Sequence, residues 1–143
     1  EQEAKTKDGK YIDISANIEF IAEAVMAKQY GAKGIGLFRT EYLYLSRKNL
    51  PSEEEQYNLY KEVAEKMKPY FVIIRTFDLG GDKIIPGYFE SNPFLGWRGI
   101  RFCLSNIDFF KTQLRAILRA SQTKNIKIML PMVATLELLF YWF

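Results

Sequence analysis

Short apolar runs alternate with longer stretches of helical periodicity along the chain, and this alternation constrains the fold more than any other feature. We place strands at 11–18, 34–38, 71–74 and 126–130. The first run alternates apolar and polar residues, whereas the others are nearly continuous in apolar character, as in strands that are buried on both faces of a parallel sheet. Strands that alternate with helices in this way predict an α/β fold built from parallel (βα) units.

Helix signals separate the first three strands. Asn17 is a candidate N-cap for a helix over 18–30, and Gly31 stands where such a helix would end. Ser52 and Glu55 form a capping box that predicts the start of the next helix, and Pro69 would end it. The residues expected on the buried faces are Ile18, Ile21, Ala22 and Val25 in the first helix and Tyr60, Val63, Ala64 and Met67 in the second.

Further helix signals lie on either side of the fourth strand. A short helix is expected near Gly96, after a long glycine-rich connection, and a longer one opens at Asn106 and Asp108. A last helix is expected near Thr135 and Glu137. The predicted buried stripe of the longer helix is Phe110, Leu114, Ile117 and Leu118.

The composition excludes several kinds of chemistry. The chain has no histidine, so histidine acid–base catalysis and phosphohistidine formation cannot involve these residues. Its single cysteine, Cys103, excludes an internal disulfide, fits a reducing compartment and is expected in the core, so we predict a cytoplasmic location. No apolar run has the length of a membrane span, and none of the features predicts membrane association.

The charge pattern does not favour nucleic-acid binding. The formal net charge is only +3, and acidic and basic residues are mixed along the chain. Lys111, Arg115 and Arg119 recur at the spacing of one helix face, which favours a solvated face over a basic binding patch.

An arginine directly follows the apolar run of two predicted strands. Arg39 follows 34–38, and Arg75 follows 71–74. Because the carboxyl ends of parallel strands open on one side of the sheet, both guanidinium groups would point into the same mouth, where ligands bind in such folds. The forked donors of arginine match phosphate and carboxylate oxygens, so the pair suits a dianionic ligand.

Other interpretations of these residues remain open. Each arginine could instead pair with a nearby acid, such as Glu41 or Asp78, and hold a strand–helix loop in place. Arg98 is a possible third contact to an anion, although such a residue alone more often anchors a loop, and Arg101 is a weaker fourth candidate. The GGDK segment at 80–83 could bring backbone N–H groups and a lysine near a phosphate, or it could be a plain flexible turn.

Several contiguous stretches resemble enzyme I of the bacterial sugar phosphotransferase system, the phosphoenolpyruvate–protein phosphotransferases. The resemblance extends from about Gly9 to Glu137. The related pyruvate phosphate dikinases and phosphoenolpyruvate synthases share the arginine positions but look less like this chain. The stretches that carry the resemblance are GAKGIGLFRTEYLYLSR, LPSEEEQYNLYKEVAEKM, VIIRTFDLGGDK, NPFLGWRGIR, FFKTQLRAILRAS and IKIMLPMVATLE.

The resemblance implies a fold, a substrate and partners. Residues 1–143 would form the N-terminal half of a phosphoenolpyruvate-binding (β/α)8 TIM barrel. Arg39 and Arg75 would grip the substrate phosphate, and Arg98 would line the same site. The full enzyme of this family, a homodimer that uses Mg2+, transfers a phosphoryl group from phosphoenolpyruvate to a histidine in another domain. It then passes the group to a histidine phosphocarrier protein for sugar uptake.

The family's remaining functional residues have no counterpart in this chain. Its magnesium-binding glutamate and aspartate, its catalytic cysteine and a further substrate arginine would lie beyond residue 143, so we expect no catalytic residue and no metal ligand here. The closing LLFYWF departs from the family pattern and predicts a truncated or frame-shifted end.

Half a barrel would leave two sheet edges unpaired, so we expect marginal stability and self-association. A chain that is inactive alone, as a non-catalytic remnant or as a half-barrel interaction module, is the alternative.

Overall fold

The structure is a computed structural model that describes residues 3–45, 49–80 and 89–140. These residues form an all-parallel four-stranded sheet with helices between the strands, which confirms the predicted α/β class. The strands are β1 (Ala16–Ile18), β2 (Gly34–Arg39), β3 (Phe71–Arg75) and β4 (Ile126–Met129). The described helices are α1 (Ile21–Gln29), α2 (Tyr42–Leu45), α3 (Glu53–Met67), α4 (Ile100–Ser105), α5 (Ile107–Ala120) and α6 (Leu136–Phe140), with a 3-10 turn at Ser121–Thr123.

The order of the strands across the sheet is the order along the chain, β1–β2–β3–β4. Every crossover therefore steps in the same direction, and right-handed crossovers of this kind place their helices on one face. In that layer α1 contacts α3 and α3 contacts α5. Consecutive units of a (β/α)8 barrel have this arrangement, whereas doubly wound sheets reverse the strand order.

The main core lies between the sheet and the helix layer. Phe38 of β2 and Ile74 of β3 are fully buried there, next to the arginine that ends each strand. Burying side chains of this size contributes about 1.5–3 kcal/mol each to folding. The other large side chains of this core are Ile18, Ile35, Leu43, Tyr60, Val63, Met67, Val72 and Ile117.

A second, smaller core lies at the carboxyl end of β3. Its centre is Phe77, whose ring contacts those of Tyr44 at 4.7 Å and Phe109 at 5.0 Å. Cys103 is fully buried here, so its predicted packing role is confirmed. The other buried members are Ile100, Phe102 and Phe110. This cluster fixes the chain after β3 against α4 and α5.

Helix α3 begins and packs as predicted. The Oγ of Ser52 accepts a hydrogen bond from the N–H of Glu55 at 3.2 Å, and the Glu55 carboxylate accepts one from the N–H of Ser52 at 2.8 Å. The helix ends at Met67, before Pro69. The four residues predicted on its buried face, Tyr60, Val63, Ala64 and Met67, are buried.

The predicted start of the chain's first βα unit is wrong in two respects. Only Ala16–Ile18 pairs with β2, because the alternating residues before it run outside the sheet and Ile14 is 58% exposed. Asn17 lies within β1 and does not cap α1. The N-cap is Phe20, and the Glu23 carboxylate accepts hydrogen bonds from the N–H groups of Glu19 and Phe20.

Two predicted helix faces also need correction. In α1, Ala24 is buried and the predicted Ile21 packs against the core, whereas Ala22 and Val25 are exposed. In α5, Leu118 is 60% exposed, since the contact with α3 turns the adjacent Ile117 inward. The short helix expected near 96 begins at 100 instead.

The basic stripe of α5 is tied to α3. Arg115 and Arg119 hydrogen-bond the Glu53 carboxylate at 2.7 and 2.9 Å, and Arg119 reaches Glu54 at 2.6 Å. The hydrogen bonds from Arg115 and Arg119 lower the pKa of Glu53. Two of the three predicted stripe residues therefore join helices at the surface. None of the helices in the described ranges has both the length and the apolar character that a membrane span requires.

Candidate anion-binding site

Arg39 and Arg75 end neighbouring strands and are direct partners in the register of β2 and β3. Neighbouring strands lie about 4.7–4.9 Å apart, so the two backbones meet side by side. Because Phe38 and Ile74 point into the core, the arginines that follow them alternate onto the opposite face of the sheet. The structure thus brings together the two residues that the sequence placed at strand ends.

Two carboxylates hold Arg75. Its Nη2 lies 3.1 Å from Oε2 of Glu41, and its Nη1 lies 3.3 Å from Oδ2 of Asp78. Glu41 also accepts a hydrogen bond from the N–H of Asp78 at 3.0 Å. The three side chains are 18, 10 and 6% exposed, so this is a largely buried arrangement. The acid pairing raised from the sequence as an alternative is therefore present.

Asp78 also holds Arg98. The Nε of Arg98 donates to Oδ1 of Asp78 at 2.9 Å, and its Nη2 donates to the Asp78 carbonyl at 3.1 Å. One buried carboxylate therefore bridges two of the predicted site residues. Arg101 instead donates to the carbonyls of Leu95 and Gly96, where it supports the loop before α4.

Gly99 allows the loop that carries Arg98 to approach the end of β4. Its φ is +57°, and a Cβ there would lie 2.9 Å from the Pro131 carbonyl oxygen and 3.2 Å from Oδ1 of Asp78. The next residue, Ile100, donates its N–H to that carbonyl at 3.1 Å. A side chain at 99 would thus be strained and would push against the carboxylate that positions Arg98.

Arg39 is more open than Arg75. Its Nη1 lies 2.9 Å from Oε1 of Glu19, and both side chains are about two-fifths exposed. Glu19 directly follows β1, so it occupies the same strand-end position as the two arginines. Sequence reasoning missed this residue, although its place directly after a strand was the available signal.

Each of the two strand-end arginines retains an unused donor. The buried Nε atoms of Arg39 and Arg75 have no hydrogen-bond partner within the part of the chain that the structure describes. A buried donor left in this state costs about 1–3 kcal/mol. An anion that reorients the two guanidinium groups would gain by satisfying these donors, but it would have to displace Glu19, Glu41 or Asp78.

The described residues add neither a metal cluster nor an activated thiol to the site. Residues 81–83 of the GGDK segment lie outside the described residues, so a phosphate contact there stays a prediction. No three His, Cys, Asp or Glu side chains in the described ranges are grouped so that they could hold a metal ion. Burial raises the pKa of Cys103 to about 12, so its thiol is not an activated nucleophile.

The comparisons with known proteins agree with the fold. Residues 1–140 match the family described as PEP-utilising enzyme, PEP-binding domain. The chain is 52% identical over 136 residues to the phosphoenolpyruvate-protein phosphotransferase of Geobacillus stearothermophilus, covering 92% of this chain and 23% of that protein. It is 51% identical over 138 residues to the one from Buchnera aphidicola, covering 94% of this chain and 24% of that protein.

A multiphosphoryl transfer protein from Rhodobacter capsulatus is 49% identical over 137 residues, covering 94% of this chain and 17% of that protein. The chain thus spans 17–24% of the length of these relatives. Since the family match extends over nearly all of the sequence, the chain belongs to the phosphoenolpyruvate-binding domain family of the PEP-utilising enzymes.

Proposed function

We propose that the chain binds phosphoenolpyruvate at the carboxyl ends of β2 and β3, with Arg39 and Arg75 on the phosphate and Arg98 beside them. The observation that carries the proposal is the direct register pairing of Arg39 with Arg75 on the face opposite the core. Arginine stays charged at all relevant pH values and presents a fork that fits phosphate oxygens. The names of the relatives supply the identity of the anion.

The acids around the arginines have a role in this proposal. Glu41 and Asp78 orient the guanidinium group of Arg75 before the ligand arrives, and Asp78 does the same for Arg98. Phosphate oxygens then take over some of these contacts and reach the unused Nε donors. The ligand's oxygens replace carboxylates that already pair with the arginines. A weakly charged anion does not compensate for the loss of those carboxylates, so the site selects strongly charged anions.

In a whole protein of this family, we propose that the site serves transfer of a phosphoryl group from phosphoenolpyruvate to a histidine and onward to a histidine phosphocarrier protein in the cytoplasm. Fixed guanidinium groups stabilise the charge on a transferring phosphoryl group. This chain has no histidine of its own, so it would contribute binding and not the acceptor.

In this proposal, residues 1–143 are the N-terminal half of a phosphoenolpyruvate-binding TIM-barrel domain, and the whole active protein is a homodimer. Mg2+ would assist the transfer by neutralising phosphate charge. No cluster of metal-ligating side chains in the described ranges fits the ion. The names of the relatives favour protein phosphotransfer over the dikinase and synthase reactions.

Titration of the folded chain with phosphoenolpyruvate tests the proposal. We expect saturable binding by calorimetry, with pyruvate, which lacks the phosphate, giving none. Arg39→Ala and Arg75→Ala should each weaken binding by at least about tenfold, since a hydrogen bond to a charged group contributes about 1.5–3 kcal/mol. Arg75→Lys keeps the charge beside Glu41 and Asp78, so its loss of affinity isolates the forked geometry.

Arg115→Ala is the matched control, because Arg115 is an ion-paired arginine on the helix layer, away from the strand ends. Its affinity should equal that of the unchanged chain. A folded sample that takes up no phosphoenolpyruvate at millimolar concentration would contradict the proposed function and leave the non-catalytic alternative.

A further inference from the structure

One buried side chain of α5 contacts the chain immediately beyond both strand-end arginines. Gln113 is fully buried. Its Oε1 accepts a hydrogen bond from the N–H of Phe77 at 3.0 Å, and its Nε2 donates to Oγ1 of Thr40 at 3.2 Å. Thr40 follows Arg39, and Phe77 is two residues after Arg75. A single amide therefore connects the ends of β2 and β3.

Thr40 completes the connection across the two strands. Its hydroxyl donates to the carbonyl of Arg75 at 3.1 Å. The direction of each bond is determined, since the Phe77 N–H can only donate and must meet the amide oxygen of Gln113. The amide nitrogen then faces Thr40, and the hydroxyl hydrogen of Thr40 is left for Arg75. The result is a continuous chain of hydrogen bonds from α5 to the backbone of Arg75.

The same amide is anchored to α3. Its nitrogen also donates to the hydroxyl of Tyr60 at 3.3 Å, and Tyr60 donates to Oε1 of Gln56 at 3.1 Å. Tyr44 donates to the same oxygen at 3.1 Å. Burial raises the pKa of both tyrosines, so their hydroxyls remain protonated donors. The arginine-bearing strand ends are thus held by two helices at once.

Stability alone is a poor reason for an amide at this position. Gln113 is the one polar residue among the buried residues described for α5, and the others are apolar. A buried polar network gains little over apolar packing of the same shape, and it is costly if one partner is lost. The amide fixes the backbone of one strand end relative to the other through its hydrogen bonds, which an apolar residue could not do.

We propose that Gln113 and Thr40 are positioning residues that set the separation of Arg39 and Arg75 for binding a phosphate. The inference rests on the proposed function. Its network uses only neutral groups and backbone atoms, so it stays intact when the anion displaces the carboxylates from the arginines. An error of about 1 Å in such placement costs on the order of a hundredfold in a reacting site, so a fixed spacing has functional value.

Thr40→Val tests this role, because valine keeps the shape of threonine and removes only the hydroxyl. We expect the dissociation constant for phosphoenolpyruvate to rise about tenfold, and Thr40→Ser, which keeps the hydroxyl, to restore it to within about twofold. Ser52→Ala is the control: it removes the cap of α3 at a residue that takes no part in this network. It should lower the melting temperature and leave the dissociation constant unchanged.

The outcomes separate the two proposals. If the unchanged chain does not bind phosphoenolpyruvate, the proposed function fails and the positioning role fails with it. If the unchanged chain binds and Thr40→Val binds equally well, only the positioning role is overturned. If Thr40→Val does not fold, Gln113→Met replaces it, since methionine keeps the length of glutamine and lacks both the donors to Thr40 and the acceptor for Phe77. An unchanged dissociation constant in that variant overturns the role.

Discussion

Asp78 connects two arginines of the candidate site. Its carboxylate contacts both Arg75 and Arg98, and its N–H is held by Glu41. Since the side chain is only 6% exposed, its charge depends on these two guanidinium groups for compensation. Asp78 therefore joins the end of β3 to the loop of Arg98, twenty residues further along the chain. This contact depends on the fold, because the two residues are not neighbours in the sequence.

Cys103 gives a prediction at the same scale. Burial, with a smaller contribution from the charge of Asp78, raises its thiol pKa to about 12, whereas the ordinary value is about 8.5. At pH 8 the folded chain should react with a thiol reagent such as DTNB far more slowly than the chain in denaturing guanidinium. It is the only cysteine, so the signal has a single source.

The sign of the pH effect on stability follows from the same shift. Above about pH 8.5 the unfolded chain ionises this thiol while the folded chain does not, so the free energy of unfolding falls as the pH rises toward 12. For the reaction with DTNB, equal rates for the folded and denatured chains at pH 8 would show that the thiol is not buried.

Among the elements, α3 has the best defined beginning. The capping box of Ser52 and Glu55 satisfies donors of the first turn that have no partner within the helix. Glu53 and Glu54 in the same turn meet Arg115 and Arg119 of α5. The start of α3 is therefore both a local feature and an interhelical contact.

Replacing the cap tests the local part of this arrangement. Ser52→Ala removes the acceptor for the N–H of Glu55 and should lower the free energy of unfolding by about 1 kcal/mol. Urea denaturation measures the change as a shift in midpoint. Ser52→Asp keeps an acceptor at the cap and should retain most of the stability. A midpoint for Ser52→Ala equal to that of the unchanged chain would show that the cap contributes nothing.

At the scale of the whole molecule, both edges of the described sheet are open. Among residues 3–45, 49–80 and 89–140, β1 pairs only with β2 and β4 pairs only with β3. Apolar side chains are exposed near each edge, with Ile128 in β4 at 39% and Ile14 before β1 at 58%. Open edges with exposed apolar residues favour association with further strands.

We therefore expect the isolated 143-residue polypeptide to self-associate. Sedimentation velocity should show an average mass that rises with concentration in the micromolar range. Ile128→Lys places a charge on the β4 edge and should shift the distribution toward monomer. A monodisperse monomer with a cooperative calorimetric melt would contradict this prediction.

Much of the fold follows from local signals. The parallel strands, the α3 capping box and the positions of Arg39 and Arg75 are all visible in the sequence, because each depends on residues close together in the chain. The ends of β1 and α1 were not visible in the sequence. Alternation at 11–18 cannot distinguish a strand in the sheet from an extended segment beside it. The exposed Leu118 was missed because helical periodicity does not say which neighbouring residue a partner helix covers.

What the sequence by itself determined is the class of fold, the family and the two arginines that end adjacent strands. Only the tertiary structure decided how those arginines are held: Glu41 and Asp78 against Arg75, Glu19 against Arg39, and Gln113 between the two strand ends. The physical reason is distance. Capping, periodicity and strand ends act over a few residues, whereas Gln113 meets Thr40 across 73 positions of the chain.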